Sequence, residues 1–188
     1  MMATEPFAFA LYLHNRPGVL NRVALIFSRR GWNIENLSIS TSEKPGFARC
    51  NLIATGPRDG LNNVAAQLNK LIDVVSARNV TIDERVVARQ IILIKIRITQ
   101  PIDALKNAAQ ELGGELVDDG GQSAIFQFIG TRQENSDIRD RVAERFEVMD
   151  VIRSGVVTMH REEAELDDVA EMGPGVLLTA LGETIHPH

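Results

Sequence analysis

The amino-acid sequence predicts an α+β protein built from two successive units, each with the element order β-α-β-β-α-β. Two observations lead to this prediction: short strand-like stretches flank segments of helical period, and the whole order recurs after about 80 residues. Of the 188 residues, 44% are hydrophobic and 24% are charged, which is typical of folded globular proteins. No apolar run approaches the ~18 residues of a membrane-spanning helix, so we expect no membrane partner.

The first unit begins with an apolar strand over 7–13, which ends in turn-forming residues at 14–18. A helix is expected over 17–30. Its apolar face is formed by Val19, Leu20, Val23, Ile26 and Phe27. Pro17 suits the first helical turn, because its missing N–H would be unpaired there in any case. Gly31 suits the left-handed conformation that commonly ends a helix.

Two strands, a helix and a last strand complete the first unit. Residues 33–40 alternate between apolar and polar side chains, which indicates a strand with one buried face. A turn at 43–46 separates this strand from extended residues at 47–55. The apolar face of the second helix is formed by Leu61, Val64, Ala65, Leu68, Leu71 and Ile72. A fourth strand at 74–80 gives the order of a ferredoxin-like unit.

The same order recurs in the second unit. The predicted elements are a strand at 86–98, a helix at 103–112, strands at 115–119 and 123–129, a helix at 136–146 and a strand at 148–159. We therefore expect two tandem ferredoxin-like domains, at 6–82 and 85–160. Residues 161–188 are interpreted as a flexible, acidic C-terminal extension.

The net charge of −5 is concentrated at the C-terminus. Residues 161–188 hold one arginine and seven acidic residues, whereas the rest of the chain holds 19 basic and 18 acidic residues. Neither part offers the dense basic face that duplex nucleic acid requires, so no nucleic-acid partner is expected. The single cysteine, Cys50, excludes an internal disulfide framework. With no positive segment of a secretory signal at 1–10, this indicates a cytoplasmic protein.

The residue types favour a binding module over an enzyme. No histidine has a second histidine or cysteine at metal-ligand spacing within a predicted element, although His186 and His188 could bind a metal weakly. Cys50 follows the alternation of the third strand and is interpreted as a small buried hydrophobe. No glycine-rich phosphate motif is present. We therefore assign no catalytic and no metal-binding residue.

One segment has the character of a ligand site, and it consists of Asn15, Arg16, Pro17, Gly18, Val19 and Leu20. It leads from a strand into a helix N-terminus, where unpaired N–H groups and the helix dipole favour a carboxylate. Gly18 lets the backbone approach a ligand, and the Asn15 amide can contact either an ammonium or a carboxylate. Equally, Asn15 could simply cap the helix while Gly18 eases the turn.

Two stretches of the first unit resemble one known family. Residues 15–20 follow the pattern N-x-[SP]-G-[AV]-L, and residues 27–37 follow F-S-x-R-G-[YWF]-N-I-E-[SN]-L. In combination, these patterns resemble the regulatory (small) subunits of acetolactate synthase, also called acetohydroxyacid synthase, which are ACT-domain proteins. The resemblance covers about 7–160 and closes with 153–157. The sequence departs from the pattern at Gln90, where relatives often carry an acidic residue.

The resemblance implies an N-terminal ACT domain, an ACT-like second domain and a homodimer. Paired ACT domains of this family bind valine or another branched-chain amino acid at their interface. By motif, Asn15, Pro17, Gly18, Val19 and Leu20 of one subunit would then meet Asn33 and Ile34 of the other. The effector-binding set also includes Arg16.

The resemblance also implies that this chain has no catalysis and no cofactor of its own. It would activate the catalytic (large) subunit and make it sensitive to feedback inhibition. Thiamine diphosphate, magnesium and FAD are expected on that catalytic partner. The runner-up hypothesis is a stand-alone ACT-domain amino-acid sensor that acts on a different enzyme or on transcription, although no helix-turn-helix pattern is visible. A third, an independent enzyme, would require the chain alone to turn over pyruvate.

Overall fold

The protein is described by a computed structural model over residues 4–161. This part of the chain contains nine strands and four α-helices, arranged as two sheets. It divides into two compact units, one formed by 4–87 with 159–161 and the other by 88–158. The predicted α+β class with two β-α-β-β-α-β arrangements is confirmed.

The first unit is a four-stranded antiparallel sheet with two helices. Its elements are β1 (Thr4–His14), α1 (Val19–Ser28), β2 (Asn33–Thr41), β3 (Phe47–Pro57), α2 (Leu61–Leu68) and β4 (Val74–Asn79), with a 3₁₀ turn at Arg58–Gly60 before α2. The strand order is β2-β3-β1-β4, so β2 and β4 are the edges. This is the ferredoxin-like order expected from the sequence.

Alternate residues of the two central strands build the core of the first unit. The buried side chains are Phe7, Phe9, Leu11 and Leu13 of β1 with Cys50, Leu52 and Ala54 of β3. Val23 and Phe27 of α1 pack on this face. Trp32 lies against Gly56 so closely that an added Cβ would be 2.1 Å from its ring. Trp32, which follows the end of α1, therefore packs directly on β3.

Both helices of the first unit are shorter than the sequence predicts. α1 begins at Val19 instead of Pro17, because Gly18 is left-handed with φ +83° and cannot belong to a right-handed helix. Gly31 has φ +67°, as expected for the residue that ends this helix. α2 ends at Leu68, because Asn69 turns its side chain to the backbone of Ala77, with both hydrogen bonds at 2.8 Å.

Strand β2 contains a bulge that the sequence pattern did not reveal. The pairing with β3 shifts between Ile34 and Asn36, so Ile34 and the later apolar residues share the core face. Leu37 and Ile39 nevertheless remain 44% and 40% exposed. β2 is an edge strand, so in the described part of the chain no strand of this sheet pairs with its outer side. The prediction of one well-buried face is therefore only partly correct.

The second unit repeats the arrangement with one additional strand. Its elements are β5 (Val86–Arg97), α3 (Ile102–Glu111), β6 (Glu115–Asp118), β7 (Ser123–Gly130), α4 (Arg132–Arg145), β8 (Val148–Arg153) and β9 (Val157–His160). The strand order is β6-β7-β5-β8, and β9 also pairs with β5. The core faces of β5 and β7 carry Ile92, Ile94, Ile96, Ala124, Phe126 and Phe128.

Two elements of the second unit differ from their predictions. α4 begins at Arg132 rather than 136, because Thr131 and Glu134 form a capping box at its start. The predicted strand 148–159 is divided at Ser154, whose hydroxyl accepts the N–H of Ile91 at 2.9 Å. Such side-chain bonds compete with the regular ladder.

The remaining sequence expectations concern the ends of the chain and membranes. The predicted flexible extension lies, apart from Arg161, outside the described residues. Within 4–161, no helix combines the length and the apolar character needed to cross a membrane.

Candidate functional site

The predicted ligand segment is a surface loop held between two backbone anchors. The N–H of Asn15 donates to the carbonyl of Gly46 at 2.8 Å, and the N–H of Val19 donates to the carbonyl of Arg16 at 3.3 Å. Residues 15–18 are exposed, whereas Val19 is buried and Leu20 is half-buried. The backbone of the loop is therefore fixed while its side chains face solvent.

Gly18 is the N-cap residue of α1, and among the described residues no side chain, including that of Asn15, caps this helix. The alternative in which Asn15 serves as the cap is therefore wrong. A Cβ on Gly18 would lie 3.7 Å from Nη1 of Arg22, which is an ordinary contact. The requirement for glycine thus comes from the left-handed backbone and not from lack of space.

The first turn of α1 retains free donors. The N–H of Arg22 is bonded to the carbonyl of Gly18 at 3.2 Å. In the described part of the chain, the N–H groups of Leu20 and Asn21 have no acceptor. The first turn also contains no acidic residue. Together with the positive end of the helix dipole, these two donors suit a carboxylate.

Three charged side chains surround the loop. The carboxylate of Asp73, whose side chain is only 6% exposed, forms an ion pair with Nη2 of Arg22. Nη1 of Arg16 lies 4.0 Å from the other oxygen of the same carboxylate. Two guanidinium groups thus share one carboxylate, which leaves a net charge of +1 beside the helix N-terminus.

Sequence reasoning missed Arg22 and Asp73. Arg22 could have been found, because it lies one helical turn after Gly18. Asp73 had no comparable signal, since it is separated from Arg22 by 51 positions along the chain.

Asn33 and Ile34 lie at the opposite end of α1 from the loop. They begin β2 after the helix has ended, and the ten residues of α1 span about 15 Å. Asn33 is exposed, and Ile34 packs against the core of the first unit. Within one chain, residues 15–20 therefore form one continuous site, and Asn33 lies outside it.

Cys50 and His14 of the first unit are both engaged in packing. Cys50 is buried, and burial raises the pKa of its thiol to about 11, so it is the inert hydrophobe expected from the sequence. His14 packs on Phe47, with ring centroids 4.9 Å apart. Across 4–161, no three histidine, cysteine or acidic side chains are grouped so that they could hold a metal ion. His186 and His188 lie outside the described residues.

Comparisons with known proteins agree with the two-unit architecture. Residues 9–76 match the family model described as the AHAS small subunit-like ACT domain, and residues 89–162 match that of the small subunit of acetolactate synthase. The first match identifies the N-terminal unit as an ACT domain, so the chain is an ACT-domain protein. The chain belongs to the family of acetolactate synthase small subunits, and the resemblance found in the sequence motifs is confirmed.

The chain matches individual relatives over nearly their whole length. The chain is 30% identical to the acetolactate synthase small subunit of Haemophilus influenzae over 158 residues, which cover 84% of this chain and 96% of that protein. It is also 30% identical to the small subunit of Mycobacterium bovis over 165 residues, covering 85% and 95% of the two chains. The crystal structure of the Thermotoga maritima small subunit superposes with a TM-score of 0.71 at 27% identity, covering 85% of this chain and 99% of that one.

Proposed function

We propose that this chain is a non-catalytic regulatory subunit that activates the catalytic subunit of acetolactate synthase and confers feedback inhibition by a branched-chain amino acid. The observation that carries the proposal is the start of α1, where a left-handed Gly18 and two free N–H groups meet a net positive charge. The first turn of α1 has no acidic residue to complement this end of the helix, and the nearby Asp73 carboxylate is already engaged by Arg22 and Arg16. An amino-acid effector supplies that group.

The remaining parts of a branched-chain amino acid also find suitable partners. The oxygen of the Asn15 side-chain amide can accept a hydrogen bond from the ammonium group. The partly buried side chain of Leu20 offers an apolar surface to a small aliphatic group. These contacts fit valine, leucine or isoleucine, and the proposal takes valine as the first probe.

The proposed effector site requires two copies of the chain. Asn33 lies about one helix length from the loop of its own chain, so it reaches an effector only if α1 of a second copy runs in the opposite direction. A two-fold axis beside β2 would produce this arrangement. The free edge of β2 and the exposed Leu37 and Ile39 support a homodimer there, because a second copy would pair the edge and cover both side chains.

Regulation then follows from differential binding. An effector that binds one arrangement of the dimer more tightly shifts the population toward it, with a coupling free energy of typically about 1–3 kcal/mol. The catalytic partner would respond to that arrangement. In this proposal the reaction and its cofactors, thiamine diphosphate, magnesium and FAD, belong to the partner, and both subunits act in the cytoplasm.

The test combines calorimetry, oligomeric state and reconstitution. The full chain is titrated with L-valine, L-leucine and L-isoleucine, and its mass is measured by analytical ultracentrifugation. We expect a dimer that binds at least one of the three and makes the reconstituted catalytic subunit sensitive to it. Binding without any effect on the catalytic subunit would favour the stand-alone sensor, and no binding at all would contradict the proposal.

A surface variant tests the dimer separately. Leu37→Asp introduces a charge into the proposed contact, so we expect a monomer with greatly weakened valine binding. The matched control is Ile129→Asp, which changes an exposed apolar residue on a strand of the second unit. A Leu37→Asp variant that still forms the dimer would show that β2 is not the contact.

A further inference from the structure

Asp73 occupies an unusual place for an acidic residue, because its side chain is buried at the base of the loop. Its carbonyl accepts the N–H of His14, the last residue of β1, at 2.9 Å. Its carboxylate reaches Arg22 on the first turns of α1. Asp73 therefore connects the strand before the loop to the helix after it.

A buried carboxylate persists only when it is paired, because an isolated charge is costly to remove from water. Asp73 satisfies this requirement with Arg22 and, at 4.0 Å, with Arg16. If Arg22 moved away from the loop, the buried Asp73 carboxylate would keep only its more distant partner, Arg16. The pair thus restricts the guanidinium to one position.

That position is next to the proposed effector. Nη1 of Arg22 would lie 3.7 Å from a Cβ built on Gly18, so the guanidinium flanks the helix N-terminus. Asp73 pairs with Nη2, and among residues 4–161 no acceptor is bonded to Nη1. The Arg22 side chain remains 44% exposed, which leaves this donor accessible to a ligand.

We propose that Arg22 is a specificity-determining residue that recognises the carboxylate of the effector, and that Asp73 is the positioning residue that holds it. The inference rests on the proposed effector site and adds two residues to it. Arginine suits this role because its planar fork can donate to two carboxylates at once. Nη2 of Arg22 pairs with the buried Asp73, and Nη1 donates to the carboxylate of the effector.

The experiment compares a ligand that has the carboxylate with one that lacks it. The full chain is titrated by calorimetry with L-valine and with L-valinamide, in which a neutral amide replaces the carboxylate. For Arg22→Gln we expect valine affinity to fall by about tenfold or more, as for loss of a hydrogen bond to a charged group. Valinamide affinity should change by less than about threefold, and Arg22→Lys should recover part of the loss.

Asp73 is tested through its dependence on Arg22. Asp73→Asn alone should weaken valine binding, whereas the same change in an Arg22→Gln background should have no further effect, because the two residues act as a unit. If Asp73→Asn does not fold, Asp73→Glu replaces it and is expected to show the same dependence. The control is Arg141→Gln, which removes an exposed guanidinium on α4 of the second unit and should leave both affinities unchanged.

The outcomes separate this inference from the function on which it rests. If the unmodified chain binds none of the three branched-chain amino acids, the proposed function itself fails. If it binds valine and Arg22→Gln lowers valine and valinamide affinities by equal factors, Arg22 is only structural and this inference is overturned. Additive effects of the Asp73 and Arg22 changes would overturn the positioning role of Asp73.

Discussion

The first helices of the two units, α1 and α3, occupy the same position in the same topology but begin in different ways. α3 follows Pro101, which is extended, and carries Asp103 in its first turn. α1 follows the left-handed Gly18 and has no acidic residue in its first turn. An acid near a helix N-terminus complements the positive end of the dipole. In the second unit Asp103 supplies this negative charge, whereas in the first unit no residue of the first turn of α1 does.

The other helix of the second unit shows a fully closed N-terminus. In α4 the Thr131 hydroxyl accepts the N–H of Glu134 at 3.2 Å, and the Glu134 carboxylate accepts the N–H of Thr131 at 2.6 Å. The hydrogen bonds that the Glu134 carboxylate accepts from the backbone N–H and from the side chain of Thr131 lower its pKa. The same fold therefore contains one helix N-terminus whose N–H groups are capped by its own side chains and one whose first N–H groups are left uncapped.

The largest expected effect comes from closing the open helix start. Gly18→Asp places a carboxylate at the N-terminus of α1 and forces a side chain into φ +83°, which costs about 1–2 kcal/mol. We expect valine sensitivity of the reconstituted enzyme to be abolished while activation of the catalytic subunit is mostly retained. The measurement is the valine inhibition curve of the complex.

A matched glycine separates strain from the loss of the site. Gly113 also has φ +83°, and an added Cβ there would meet nothing within 4 Å. Gly113→Asp should therefore cost comparable stability but leave valine inhibition intact. If Gly18→Asp retained full valine inhibition, α1 would not be the helix that receives the effector.

A smaller effect is expected from Asn15→Ala, which removes a proposed ligand contact without straining the backbone. Loss of a hydrogen bond to the charged ammonium should weaken valine binding by about 1.5–3 kcal/mol. Calorimetry of the full chain measures the change, and activation of the catalytic subunit should persist. Asn107→Ala, on the exposed face of α3, is the control. If Asn15→Ala and the unmodified chain bound valine with equal affinity, Asn15 would not belong to the effector site.

The smallest effect concerns the closed helix start. Thr131→Ala should lower the free energy of unfolding by about 1 kcal/mol near neutral pH and leave valine affinity unchanged. Because the pKa of Glu134 is lowered by the backbone N–H and the side chain of Thr131, the part of the stabilisation that comes from the Glu134 carboxylate is complete above the usual carboxyl pKa and is lost as pH falls through the lowered value. Denaturant unfolding of both proteins across acidic pH measures this, and a difference that grows on acidification would contradict the capping role.

Local signals explain which boundaries were predicted well. Gly31 adopts the left-handed conformation expected of it shortly after α1 ends at Ser28, because the tolerance of glycine for positive φ is a local property of the chain. The start of α4 was missed although Thr131 and Glu134 have the spacing of a capping box. The end of α2 could not be foreseen, because Asn69 is bonded to Ala77 of the neighbouring strand.

The sequence by itself determined the two-unit architecture and the segment at 15–20 that leads from a strand into a helix, since strand alternation, helical period and a glycine before a helix act over a few residues. Only the tertiary structure decided that Asp73 meets Arg22 and that Asn33 lies a helix length from the loop. Contacts between distant positions depend on how strands pair and helices pack, and no short-range pattern encodes them. The charge beside the proposed effector is therefore a product of the fold.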